Sequence, residues 1–167
     1  MTIRIYIKSI LLIALVTFSL GGFFLHTRIH PLSHGASNVV PSISGMLSIL
    51  VIPLLFSFKK TVEYGYVLNG FLVIVGTIGM AHFSIAHWPT PVTLGSIMLQ
   101  TTLPDLLICW SKFFIGKSLF DLEFFGYDPA RAKQGKTYRY PNLGWWVVHV
   151  VAISLVYLLG NLVWRQL

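Results

Sequence analysis

Long uncharged apolar runs constrain this chain more than any other feature. A run of about 20 residues covers about 30 Å of hydrocarbon at helical rise. Inside hydrocarbon every backbone N–H and C=O must bond within the chain, so runs of this length are read as helices. Five spans can be drawn, at about 9–25, 43–58, 66–87, 91–111 and 144–164. The second is short and holds Pro53, and the fourth holds Pro104. A four-span arrangement, with the second segment re-entrant or tilted, is the main competitor. Composition agrees with a membrane chain: 10% of the residues are charged, against about 25% in soluble domains. The expected fold is all-α, a polytopic integral membrane protein forming one membrane domain over residues 1–167.

The basic residues orient the spans. Arg4, Lys8, Lys59, Lys60, Lys112, Lys117, Arg131, Lys133, Lys136 and Arg139 fall on one side of this arrangement, and only Arg28 and Arg165 on the other. Cationic loops stay cytoplasmic, so the N-terminus is expected inside and the C-terminus outside the inner (plasma) membrane. Trp88 and Trp164 suit the outer interface, and Trp110, Trp145, Trp146, Tyr64 and Tyr66 the inner one. The first run, reaching Leu25 without a clean small-x-small site, reads as a signal anchor rather than a cleaved leader.

The formal charge of +7 therefore has a topological explanation, and no basic-aromatic signature of nucleic-acid binding accompanies it. The expected partners are the lipid bilayer and other membrane subunits or further copies of the chain, with no nucleic acid. The cytoplasmic loop 117–142 mixes Arg131, Lys133, Lys136 and Arg139 with aromatic residues. Such a mixture suits the headgroup region, and the same four cations are candidates for docking a soluble partner. Within the loop, Tyr127-Asp128-Pro129 reads as a turn or a helix start.

Histidine placement is the feature closest to chemistry. His26, His30 and His34 lie at the outer end of the first span and beyond it, and His82 and His87 near the outer end of the third. Residues four apart share a helix face, so His26 and His30 are placed to chelate one ion. Pro31 biases His30 away from helical geometry, which leaves His34 on a loop. His82 follows Gly79-Met80-Ala81, small neighbours that leave room for a planar group, and is a candidate haem ligand opposite His26 or His30. Imidazole suits zinc, copper, iron, nickel or haem. The competing account makes these histidines polar interface residues.

Asp105 is the acid inside an apolar span, and an intramembrane ionisable group is a functional hypothesis by default. Counted from Pro91 it lies about 21 Å inward, and His149 lies about 8 Å beyond Gly144 from the other side. The two are therefore expected to meet near the inner third as a polar pair, with Gln100 and Asn69 extending a polar track. The single cysteine, Cys109, excludes an internal disulfide. Phosphate loops, H-E-x-x-H, G-x-S-x-G and the adjacent histidine pairs of di-iron membrane enzymes are all missing from the sequence.

The leading expectation is an integral membrane subunit of a larger complex, with an outer-side histidine site for haem or a transition metal and a role in electron transfer. The alternatives are a metal-dependent membrane enzyme or metal-handling protein, and a structural anchor that recruits a cytoplasmic partner through loop 117–142.

Overall fold

The computed structural model describes residues 2–29, 39–86 and 103–126, together with 128, 130, 144, 147–149, 151, 152 and 155. Every element among them is helical. α1 spans Ile3–Ile29, α2 Val39–Met46, α3 Ile52–Ser57, α4 Val62–Ala86 and α5 Leu103–Phe125, and a π-helical turn, Leu47–Val51, joins α2 to α3. One described helical stretch, Ile3–Leu25, is both long and apolar enough to cross a membrane. The described apolar stretches Ser42–Ser57 and Val62–Gly76 are shorter.

The π turn follows from Pro53. A proline lacks the N–H of the ladder, and its ring clashes with the carbonyl four residues back. Widening the register ahead of it relieves that clash, and the Ile52 N–H accordingly donates to Leu47 O. The rod continues through α3 with Pro53 in its first turn, where no N–H is needed. The residues of the expected second span thus form a single broken rod.

α3 ends where Phe58 turns extended. Thr61 ties the short connection together: its hydroxyl donates to Leu55 O at 2.8 Å, and its N–H to Phe58 O at 3.1 Å. This satisfies carbonyls that a helix end leaves orphaned and sets exposed Lys59 and Lys60 at the tip. At the end of α5, Gly126 takes a positive φ of 57°, the left-handed stop that glycine supplies without strain. Asp128 Oδ1 then accepts the Ala130 N–H at 2.9 Å; Tyr127 and Pro129, the rest of the expected turn or helix start, lie outside the described residues.

Side-chain contacts fix the direction of each rod. Near the start of α1, Arg4 and Lys8 bond Glu123 near the end of α5. Farther along α1, a Cβ on Gly22 would stand 3.1 Å from Ile108 Cγ2, so α1 and α5 run antiparallel. The broken rod opposes α1, with Gly45 against Phe23 and the Ser57 carbonyl accepting from Lys8 Nζ at 2.9 Å. α4 opposes α5, with Tyr66 on Phe120 at 4.9 Å between ring centroids and Gly76 against Cys109. The chain therefore alternates up and down. One end gathers Arg4, Lys8, Lys59, Lys60 and Glu123, and is called the basic end below.

Two boundaries differ from expectation. Residues 91–102 of the fourth run lie outside the described residues, and the helix containing its end continues from Ser111 to Phe125. The first nine residues assigned to the cytoplasmic loop are therefore helical, braced by the Lys117–Asp121 ion pair one turn apart. Phe120 stacks on Phe124 within the same stretch, at 4.6 Å between centroids. Burial of one face against α1 and α4 carries the helix past its last apolar run.

Among the described residues the exterior is apolar as well as the core. Ile13, Phe24, Leu50, Leu54, Phe71 and Leu107 stand more than half exposed. In the broken rod the outward residues Ile43, Met46, Leu50 and Leu54 repeat every three or four positions, a continuous apolar stripe. Val148, Val151 and Leu155 repeat the pattern in the last described stretch. The core nearest the basic end is aromatic, built on Phe56, Tyr66, Phe113 and Phe120.

The ion cluster at the basic end yields a pH prediction. Burial favours the neutral form of Glu123, but the hydrogen bonds and charges of Lys8 and Arg4 outweigh it and hold the carboxyl below its ordinary value. A depressed carboxylate contributes stability above its unfolded pKa, about 4.3, and loses it as pH falls through the lower folded value. Thermal unfolding in detergent should show a loss of stability that sets in below about pH 4.3. Glu123→Gln should remove that step and cost about 1–2 kcal/mol at neutral pH. An unchanged acid profile in the variant would contradict this assignment.

Candidate functional site: a polar layer inside the bundle

α5 carries a lysine in the core. Lys112 is 8% exposed, and its Nζ donates to Ser48 Oγ at 2.9 Å. Sequence reading placed this lysine among the cations of the inner side, at the end of an apolar run beside Trp110. It lies instead eleven residues before Glu123, about 16 Å from the basic end at helical rise. The charge count that orients the chain therefore becomes nine to two, with one cation inside.

Three further polar residues reach the same height. Asn69 on α4 is 1% exposed and donates through Nδ2 to Lys112 O at 3.1 Å. Ser48, 3% exposed, sits in the π turn. Ser19 on α1 is 2% exposed. It lies three residues before Gly22, which faces Ile108, and four before Phe23, which faces Gly45. Those registers set Ser19 level with Ser48 and Lys112. Each rod thus gives one buried polar residue to a single layer.

Local sequence explains the approach. Gly116 lies one turn beyond Lys112, and a Cβ there would collide with Asn69 Nδ2. The missing side chain is what lets the amide reach the α5 backbone, whose Lys112 carbonyl it caps. The layer is incompletely bonded: Ser19 Oγ and Asn69 Oδ1 are buried without a hydrogen-bond partner among the described residues. Of the three Lys112 ammonium protons, one has a described acceptor.

This site was legible in part. Asn69 is expected from sequence to extend a polar track from Asp105 and His149, together with Gln100; it lies in this layer, while Gln100 and the Asp105 side chain lie outside the described residues. Ser19, Ser48 and Lys112 carry no distinguishing signal, since Thr17, Ser44 and Ser111 stand close to them in sequence.

The other expected site residues fall elsewhere. His26 and His82 are backbone positions in α1 and α4, and their side chains lie outside the described residues. His26 is four residues past Gly22, and His82 six past Gly76, while Gly22 and Gly76 face neighbouring positions of α5, Ile108 and Cys109. The two histidines therefore stand about 6 and 9 Å above one common level, at the end opposite the basic one. Asp105, whose side chain is also outside the described residues, is the third residue of α5 and belongs to that same end. A helix start favours a carboxylate electrostatically. His149 is half-buried in the helical stretch 147–149. His30, His34 and His87, and the loop cations Arg131, Lys133, Lys136 and Arg139, lie outside the described residues. No group of three or more metal-ligating side chains occurs among the described residues.

Comparison with protein-family models, with curated proteins and with solved structures gives no match for this chain.

The layer predicts a specific mutational pattern. Removing one member of a buried polar pair costs more than removing both. Ser48→Ala should destabilise the detergent-purified protein by about 1–3 kcal/mol, whereas Lys112→Met should be closer to neutral. In the double variant most of the Ser48→Ala loss should disappear, a coupling of about 1 kcal/mol or more. Strict additivity in a thermal-unfolding cycle would show that the two side chains do not interact.

Proposed function

We propose that the chain is a multi-pass protein of the inner (plasma) membrane that works as a subunit of a larger membrane complex. The observation that carries this reading is the apolar exterior: apolar side chains stand exposed on every rod while Lys112, Asn69, Ser48 and Ser19 are buried. Water would penalise that exterior, and hydrocarbon would not. The alternating rods and the basic residues collected at one end support an N-terminus inside. Five spans follow when the apolar run 144–164 is added to α1, the broken rod, α4 and the run ending in α5. The C-terminus is then outside.

In this reading the subunit holds haem or a transition metal at its outer end and passes electrons to or from a quinone or a neighbouring subunit. The support is positional: His26 and His82 stand on two different rods at nearly one height. Two imidazoles from separate helices are a common way to hold haem iron within a bundle, while a single ion would draw in further outer histidines. Asp105, at the same end, belongs to the surroundings of that site. Its pairing with His149 is the variant of this proposal in which the last span closes against α5.

Two measurements test the proposal. A reporter fused after Leu167 that works only outside the cytoplasm should be active, and activity of a cytoplasm-only reporter would overturn the five-span arrangement. Purified protein should carry iron, zinc or copper at about one per chain, with a Soret band if the group is haem. His82→Ala and His26→Ala should each abolish it. A metal-free protein with no visible absorbance would end the metal reading and leave the membrane reading intact.

A further inference from the structure

The polar layer lies on a different level from the outer histidines and answers a different chemical question. An ammonium in the core of a bundle is costly unless its protons are bonded and its charge is matched. Lys112 has neither in full. Among the described residues its side-chain partner is the neutral Ser48 hydroxyl, and no carboxylate pairs with it. Around it, Ser19 Oγ and Asn69 Oδ1 await donors that the described protein does not supply. Unmatched donors and acceptors at one height form the pattern that buried water satisfies.

The partner is chemically suited to two protonation states. A hydroxyl accepts from an ammonium and donates to a neutral amine by rotating its hydrogen. A carboxylate would instead lock the charged form in place. Among the described side chains of α5, the titratable group near Lys112 is Cys109, one turn away; Asp105 is a backbone position two turns away, with its side chain outside the described residues. On α4 the titratable group is Tyr66, in the aromatic core. The neighbours from α1 and the π turn are the hydroxyls of Ser19 and Ser48.

The two sides of the layer are packed differently. Toward the basic end, Phe56, Val62, Leu119 and Leu122 are fully buried, and Tyr66 closes on Phe120. Toward the opposite end Leu72, Val73 and Cys109 are also buried, while Ile74, Val75, Gly76 and Ile108 are partly exposed.

We propose that this layer is a water-holding proton-exchange site, at which Lys112 gives up and regains a proton through the outer side of the membrane only. In the forward step an N–H bond of the ammonium breaks, nitrogen keeps the electron pair, and the proton forms an O–H bond on water. Ser48 turns its hydroxyl hydrogen toward the freed pair, and Asn69 Oδ1 and Ser19 Oγ accept from the water. The aromatic core prevents the proton from continuing inward, so the site loads and unloads without conducting. This inference rests on the membrane reading above and is independent of the outer histidines.

Cys109 is a native reporter of this site, because it is the chain's only cysteine and lies one turn from Lys112. The test uses wild-type protein in vesicles of both orientations and the small, membrane-impermeant thiol reagent 2-sulfonatoethyl methanethiosulfonate. Flotation with the vesicles and the Leu167 reporter establish insertion and sidedness separately, so failure to insert overturns the membrane reading on its own evidence. In inserted protein, Cys109 should react at least about tenfold faster from the outer side than from the inner side. Lys112→Met should slow the outer reaction by about tenfold, because the neighbouring cation that favours the reactive thiolate is removed. Lys112→Arg should keep most of the rate. A wild-type Cys109 unreactive from both sides would mean a dry structural clasp and would overturn the proposal. So would faster reaction from the inner side, or equal outer rates in wild type and Lys112→Met.

Discussion

Burial of one ammonium sets the terms on which the four rods assemble. Lys112 is buried in the bundle and faces Ser48 at 2.9 Å, so the broken rod lies against α5 with the π turn at that height. Asn69 then fixes α4 by bonding the Lys112 carbonyl across the space that Gly116 leaves. Interhelical hydrogen bonds of this kind are worth only about 1 kcal/mol each in a membrane. Their larger effect is on register: a one-residue slip of either rod rotates its polar residue by about 100° and strands it against apolar neighbours. Specificity, more than stability, is what the layer supplies.

The two ends of the bundle solve a different problem. At the basic end Glu123 receives both Arg4 and Lys8, and Lys8 also bonds the last turn of α3 through Ser57 O. One carboxylate thereby joins three rods at the level where charge can meet water. Between this cluster and the polar layer lies the aromatic plug of Phe56, Tyr66, Phe113 and Phe120. Along the axis the core therefore alternates between charged, aromatic and polar levels, and a solvent path from the basic end would have to cross the plug.

Much of this was readable in the sequence for physical reasons. The 3.6-residue helix is the one geometry that lets a 20-residue apolar run bond its own backbone, so the helical class followed from run length alone. The burial of Lys112 was not legible, since a lysine after Trp110 and before two phenylalanines matches an interface cation equally well. What separates the two is that α5 continues to Phe125, and that continuation depends on contacts with α1 and α4. The π turn also escaped: Pro53 announces a disruption, but a kink and a register change look alike until the Ile52 N–H is seen on Leu47 O.

The short connection at Phe58–Thr61 bears on how the protein is made. Thr61 bonds carbonyls at Leu55 and Phe58, so little slack separates the end of α3 from the start of α4. In the membrane arrangement proposed above, neither neighbour is threaded into a bilayer and left to wait for the other. There the broken rod and α4 enter as one helical hairpin, with Lys59 and Lys60 at its tip. Ser48 and Asn69 then arrive together, and the chain's own order of emergence leaves them to meet α5, and the lysine it carries, last.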